Sequence, residues 1–364
     1  MKNVYSMSPP VGESYGETVA RKSMRGHVFH EWRPPVRIKD GYLDCVFYLY
    51  PSHQHAVDGA GIGGSGFLVS VPTTGLMQNF LILYAVTNKH VVETGGTVIR
   101  MTRINGEIDI LETDERAWVT HPHGDDLAVY LISINPMLYR FSHISISDFM
   151  TKDGIAGNHV GPGDDAFVVG RFINHEGKQR NLPTARFGHI AQMPDEPIVV
   201  SGFEQESFLI EARSIGGFSG SPVFWHVLPF HGGPYRPIVN TGLGPLLLGV
   251  EWGYINTWAP LCDALGMALG DGPPWVRQVE QNSGMMAVVP AWKLAELLLG
   301  GEVLRKREEI EREALEGQRK NIPLPRAFTM SSAGVKRRPD ANAAHKEDFT
   351  FLLNAAAKTK PQAD

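Results

Sequence analysis

From Tyr42 onward the chain is written in short apolar runs, rich in β-branched and aromatic residues and closed by Gly, Pro or Asp. Such runs are too short for core-forming helices and have the texture of strands. The candidates are Tyr42–Tyr50, Gly66–Val71, Leu81–Thr87, Thr97–Arg103, Ile108–Leu111, Leu127–Ile132, Ala166–Val169, Thr184–Gln192, Phe208–Ala212, Pro222–Trp225, Leu246–Glu251 and Met286–Val289. About a dozen strands at this spacing point to an all-β core of antiparallel barrels or sandwiches, not to alternating β and α units. With 364 residues, 43% of them hydrophobic, the chain can bury a sizeable core.

The flanks have a different texture. Residues 1–38 are polar, carry Pro9, Pro10, Pro34 and Pro35, and read as an N-terminal arm. The β-rich domain spans 39–300, and Trp292, Leu294, Leu297 and Leu298 near its end suggest a helix packed on the β body. Residues 301–320 interleave Glu with Lys and Arg and read as a charged, solvated helical extension, broken from the previous helix at Gly300–Gly301. Residues 321–364 read as a disordered tail. Two polar or Gly/Pro-rich stretches, Asn174–Pro183 and Leu228–Pro245, look like surface insertions.

Charge and cysteine content exclude several functions. A formal net charge of −5 leaves no basic excess for binding nucleic acid or an anionic membrane. Cys45 and Cys262 cannot make a disulfide framework or a cysteine-type zinc site, and read as two buried thiols. The N-terminus shows no signal-peptide apolar run, and no stretch is long enough for a transmembrane helix. A cytoplasmic setting is the expectation. His53-Gln54-His55 and His121-Pro122-His123 lack a carboxylate or thiolate at metal-ligand spacing and read as solvated loop histidines. Gly61–Gly66 lacks the Gly-Lys-Ser/Thr ending of a phosphate loop. No metal or organic cofactor is expected.

Three segments carry chemistry together. Thr87-Asn88-Lys89-His90-Val91-Val92 presents a histidine on a turn after a strand. Asp125-Asp126-Leu127-Ala128-Val129 places an acidic pair at the head of an apolar strand. Gly216-Gly217-Phe218-Ser219-Gly220-Ser221-Pro222 can hold a serine in an exposed turn. A serine hydroxyl needs a base within hydrogen-bond reach, and an imidazole can take its proton and return it to a leaving group. A carboxylate fixes the imidazole tautomer, and glycines before the serine let backbone N–H groups converge on an oxyanion. On this reading Ser219 attacks, His90 is general base and acid, and Asp126 orients His90. The N–H groups of Gly217 and Ser219 form the oxyanion hole. Asp125 reads as a solvated neighbour, and Ser221 and Ser214 as lesser rivals of Ser219.

With Gly64-Ser65-Gly66-Phe67-Leu68-Val69 added, these motifs resemble those of the trypsin-like serine peptidases, most closely the HtrA/Deg-type branch. The resemblance covers roughly Tyr42 to Leu298 and keeps the order His, Asp, Ser. It implies two six-stranded antiparallel β-barrels with the catalytic groups between them. It also implies that Glu251-Trp252-Gly253 lies on the strand lining the substrate cleft, and that Arg213 stands at the floor of the primary specificity pocket. A cationic floor would favour an acidic residue before the scissile bond; pairing of Arg213 with Glu211 or Glu251 would leave a pocket for small apolar residues. The chain departs from the family in carrying Ser221 where Gly is usual, and no PDZ-like domain follows.

The expected activity is therefore that of a serine endopeptidase acting on protein or peptide substrates, with a protein partner for the C-terminal extension. A trypsin-like scaffold serving as a partner-regulated or non-catalytic binding module is the other reading.

Overall fold

The computed structural model describes residues 38–61, 63–73, 81–173, 177–200, 202–212, 216–226, 245–260 and 278–319. The expectations for the N-terminal arm, Arg213 and Ser214, most of the Leu228–Pro245 insertion, Cys262 and the tail lie outside the described residues.

The first half holds α1 (Asp40–Asp44), β1 (Val46–Tyr50), α2 (His53–Asp58), β2 (Gly64–Pro72), β3 (Leu81–Thr87), α3 (Lys89–Glu93), β4 (Val98–Thr102), β5 (Ile108–Glu112), β6 (Val119–Thr120), β7 (Ala128–Ile132) and β8 (Ile144–Ser145). The sheet order is β5-β4-β1-β2-β3-β7-β6, with β8 paired to β2. All six longer strands send side chains into one cluster, among them Leu49, Leu68, Ala85, Ile99, Leu111 and Tyr130. A sheet whose strands all face one core is rolled on itself.

The second half holds α4 (Lys152–Asn158), β9 (Asp165–Gly170), β10 (Thr184–Gln192), β11 (Pro197–Val200), β12 (Phe203–Glu206), β13 (Phe208–Glu211), β14 (Pro222–Trp225), β15 (Leu246–Pro260), β16 (Gln278–Pro290), α5 (Ala291–Leu299) and α6 (Gly301–Arg319). Six of these strands close a barrel in the order β10-β13-β16-β15-β14-β9. Its interior is filled by Val168, Ile190, Phe208, Ile210, Val223, Leu248 and Met286. The β11–β12 hairpin stands apart as a two-stranded sheet.

Strand periodicity explains how the halves join. In β1, Phe47 and Leu49 point into the first core, while Tyr48 and Tyr50 point outward into a second apolar cluster. That cluster also takes Val86 and Phe67 from the first half, Phe167, Phe224 and Val250 from the second, and Leu294, Leu297 and Leu298 from α5. Both faces of β1 are thus buried, so it reads as an unbroken apolar run rather than an alternating one. A closed six-stranded barrel, a second rolled sheet and C-terminal helices agree with the double-barrel architecture expected above, except that the first sheet has eight strands rather than six.

Several local expectations are corrected. The start of the expected strand Tyr42–Tyr50 is helical, because Asp40–Asp44 turns before β1 begins. Helix α6 is not solvated all round: Val303, Arg307, Glu311 and Ala314 recur on one buried face. Arg307 Nη1 donates to the Leu298 carbonyl at 2.8 Å, and Arg307 and Glu311 lie against Tyr84 of β3, whose phenol burial pushes up. The polar Asn174–Pro183 stretch is no free loop over its described part. Arg100, fully buried in β4, donates to the carbonyls of Gly177 and Lys178 at 2.8 and 2.9 Å, and Asn181 Nδ2 donates to the Arg100 carbonyl at 2.7 Å. Cys45 is a buried thiol, its pKa pushed up by burial.

Candidate active site

The first half of the site follows from one strand pairing. Thr87 at the end of β3 sits opposite Ala128 at the start of β7. The chain leaves β3 into α3, which carries His90, and enters β7 from Asp126, so the two residues emerge side by side. The His90 N–H donates to Asp126 Oδ1 at 2.9 Å, and His90 Nδ1 lies 2.5 Å from Asp126 Oδ2. Facing a carboxylate, Nδ1 is the protonated nitrogen, which leaves Nε2 as the free acceptor. The Asp126 side chain is 8% exposed and that of His90 is 42% exposed, so the carboxylate is sheltered while the imidazole is accessible. The backbone of Asp126 is pinned at both ends: Asn88 Nδ2 donates to its carbonyl and its N–H donates to Gln205 Oε1, each at 2.8 Å.

Asp125 is buried, correcting its reading as a solvated neighbour. Its carboxylate turns away from His90, 2.9 Å from His121 Nδ1 and 3.5 Å from Lys293 Nζ of α5. Burial raises its pKa, but contact with His121 and the Lys293 charge outweigh that and hold it below the ordinary carboxylate value. His121 is likewise buried, correcting its reading as a solvated loop histidine, whereas His53, His55 and His123 are exposed. Among the described residues no group of three or more His, Cys, Asp or Glu side chains could hold a metal ion.

The second half is the turn from Gly216 to Ser221. Gly217 has φ +97° and Gly220 has φ +87°, a left-handed conformation that favours glycine. A Cβ on Gly220 would lie 2.1 Å from the Ser65 carbonyl and 2.3 Å from Thr87 Oγ1, so no larger residue fits there. The Ser219 carbonyl accepts from the Ser65 N–H at 2.8 Å, and the Gly220 N–H donates to the Glu251 carbonyl at 2.9 Å. Ser219 is half-buried at the meeting of the two halves, while its rival Ser221 is fully buried against Gly170. The N–H groups of Gly217 and Ser219 donate to no backbone carbonyl among the described residues. No hydrogen bond joins Ser219 Oγ to His90 among those residues.

Glu251, Trp252 and Gly253, expected on a strand lining the substrate cleft, lie in β15. Glu251 spends both backbone groups on the turn, its carbonyl on Gly220 and its N–H on the Ser221 carbonyl at 2.9 Å, and its side chain is buried. It therefore supports the turn that carries Ser219. Trp252 sits at a bulge, where Glu251 pairs with Val288 and Gly253 with Ala287. Its ring packs edge-on to Phe203, and its Nε1 donates to Ser207 Oγ at 3.0 Å. Gly253 lies next to Val200 of the β11–β12 hairpin. Sequence reading missed Gln205 and Asn88 as partners of Asp126. Asn88 could have been found from its place two residues before His90, but nothing local marks Gln205.

No family model matches the chain, and no curated protein matches it. Among solved structures it is similar to the MamO protease domain of Magnetospirillum magneticum in its apo form, at 16% identity over 70% of this chain and 96% of that one, with a TM-score of 0.41. It is also similar to Rv3671c of M. tuberculosis H37Rv in a serine-to-alanine mutant, inactive form, at 17% identity over 71% and 86%, with a TM-score of 0.34. A further inactive form of the Rv3671c protease aligns at 17% identity over 71% and 88%, with a TM-score of 0.35.

Proposed function

We propose that the protein is a serine endopeptidase that cleaves protein or peptide substrates in the cytoplasm through an acyl-enzyme. The observation that carries this reading is the doubly bonded pair of His90 and Asp126, beside a serine on a turn that only glycine-rich backbone can make. Ser219 Oγ attacks the scissile carbonyl carbon while His90 Nε2 takes its proton. The resulting oxyanion is held by the N–H groups of Gly217 and Ser219. Collapse of the tetrahedral adduct breaks the C–N bond, and His90 returns the proton to the departing amine. Water then attacks the ester carbonyl, His90 removes its proton, and the acid product leaves with Ser219 restored. Asp126 orients the imidazole and stabilises the imidazolium. Arg213, Glu251, Trp252 and Gly253 complete the proposal as substrate contacts, and the C-terminal extension as a place for a protein partner. No cofactor enters the scheme.

A second reading is favoured by one observation, the lack of a hydrogen bond between Ser219 and His90 among the described residues. Catalytic hydrogen bonds often tighten only when substrate binds, so the site would be switched on by substrate or partner, or the scaffold would serve as a binding module. Fluorophosphonate labelling with intact mass tests both. Labelling of wild type at Ser219 and none of Ser219→Ala is the expected result. Labelling only after a partner is added selects the regulated form, and no labelling under any condition removes the hydrolase reading.

A further inference from the structure

Ser65 is not one of the three groups assigned to the chemistry, yet it is fully buried between the two barrels with every polar atom engaged. Its N–H donates to the Ser219 carbonyl, its Oγ donates to the Gly217 carbonyl, and its Oγ accepts from the Arg171 N–H, each at 2.8 Å. Its carbonyl accepts from Thr87 Oγ1, also at 2.8 Å. The direction of the hydroxyl proton is unambiguous. The Arg171 N–H can only donate and the Gly217 carbonyl can only accept, so the single Ser65 proton points at Gly217.

We infer that Ser65 is the positioning residue that sets the backbone donors of the nucleophile turn; as a statement about oxyanion binding it rests on the function proposed above. The other restraints lie at the far end of the turn, where Gly220 and Ser221 bond to Glu251. The Gly217 carbonyl belongs to the peptide unit directly after the N–H assigned to the oxyanion, and Gly217 sits at φ +97° with no side chain to resist rotation. Ser65 holds that peptide unit and also the one following Ser219. The Ser221 N–H holds the unit between them, through the Phe218 carbonyl at 2.8 Å. The frame behind Ser65 is stiff. Arg171 is buried, with its guanidinium 4.2 Å from the Tyr50 ring centre and Nη2 donating to the Gly61 carbonyl at 3.0 Å. One hydroxyl thus ties β2 of the first barrel to the end of β9 and to the turn in the second.

The test uses the full chain as wild type, Ser65→Ala and Ser65→Cys. Three quantities are read: amide exchange of the peptide covering Gly216–Ser221, the rate of fluorophosphonate labelling, and kcat and KM on a fluorogenic peptide. For Ser65→Ala we expect roughly tenfold faster exchange confined to the turn. Labelling and kcat should fall roughly tenfold to hundredfold, with KM within about twofold, the signature of lost transition-state stabilisation. Ser65→Cys, which keeps a weak donor in a similar volume, should fall between the two. Unchanged exchange at the turn overturns the inference, as does exchange that rises equally in β3 and α5, because the effect would then be global. Turn-confined loosening without labelling of any form, wild type included, upholds the clamp and removes the hydrolase reading instead.

Discussion

The two halves of the site are built by different means. The His90–Asp126 pair is a product of one sheet: the β3–β7 ladder brings both residues out at adjacent positions, and short side-chain bonds finish the alignment. The turn that carries Ser219 has no such ladder of its own. Its shape comes from bonds reaching it from β2 and β15, with the end of β9 bonded to Ser65 behind it. The His90–Asp126 pair is therefore aligned by one sheet, with Gln205 of the second half holding only the Asp126 N–H, whereas the Ser219 turn depends on how the two halves meet. Disturbing the joint should affect the turn first, and disturbing the pair should affect the chemistry without affecting the fold.

The sharpest break of that comparison is Asp126→Asn. An amide can still accept from the His90 N–H, but its NH₂ cannot accept from Nδ1, so the imidazole is driven to the wrong tautomer. Turnover should fall by about 10⁴-fold, with melting temperature close to wild type, as read from kcat beside a thermal scan. Next comes Gly220→Ala on the turn side. The new Cβ meets backbone and Thr87 at a positive φ, so a loss of roughly 4 kcal/mol and a Tm fall on the order of 10 °C are expected. The control is Gly124→Ala, at φ +93° but with open space around its Cβ position, where strain alone costs about 1 kcal/mol. If both variants lose the same amount, the interbarrel packing of the turn is not what restricts it. Gln205→Leu is a smaller probe of the pair's support. It strands the buried Asp126 N–H and should cost about 2 kcal/mol by denaturant titration.

What could be read in the sequence divides along the same line. Strands with β-branched runs were legible: β3, β10 and β14 lie where the apolar texture puts them. The hairpin of β11 and β12 was not, because its apolar run is only Ile198–Val200, with Pro197 before it and Glu204 and Glu206 on the facing strand. The cluster of His90, Asp126 and Ser219 was legible because each sits in a local motif that a turn or strand end requires. Its support was not, because Gln205 and Arg171 act across long sequence separations and carry no local mark. Buried charges misled the reading most. His121, Asp125, Arg100 and Arg307 look like surface residues one at a time, and become buried only because each finds partners in another element.

The pair of adjacent carboxylates gives the smallest effect and the finest discrimination. Asp126 faces His90, while Asp125 faces His121 and Lys293, with Glu206 and Glu296 around that ammonium. The folded Asp125 pKa is depressed, so its ionised form contributes stability that is fully present above the unfolded value near 3.8 and is lost as pH falls through the lower folded value. Asp125→Asn should therefore lower stability near neutral pH by about 1 kcal/mol, since the amide keeps the side chain's volume and polar contacts and loses only the charge. The gap to wild type should close as pH drops below the ordinary carboxylate range, measured as Tm across an acid series. Turnover of Asp125→Asn should stay within about threefold of wild type, since nothing it touches reaches the reacting atoms. A pH-independent gap would mean that Asp125 acts through packing rather than charge. A loss of turnover matching that of Asp126→Asn would mean that α5, through Lys293, holds the acid–base pair in place, and that the pair is not secured by its own sheet.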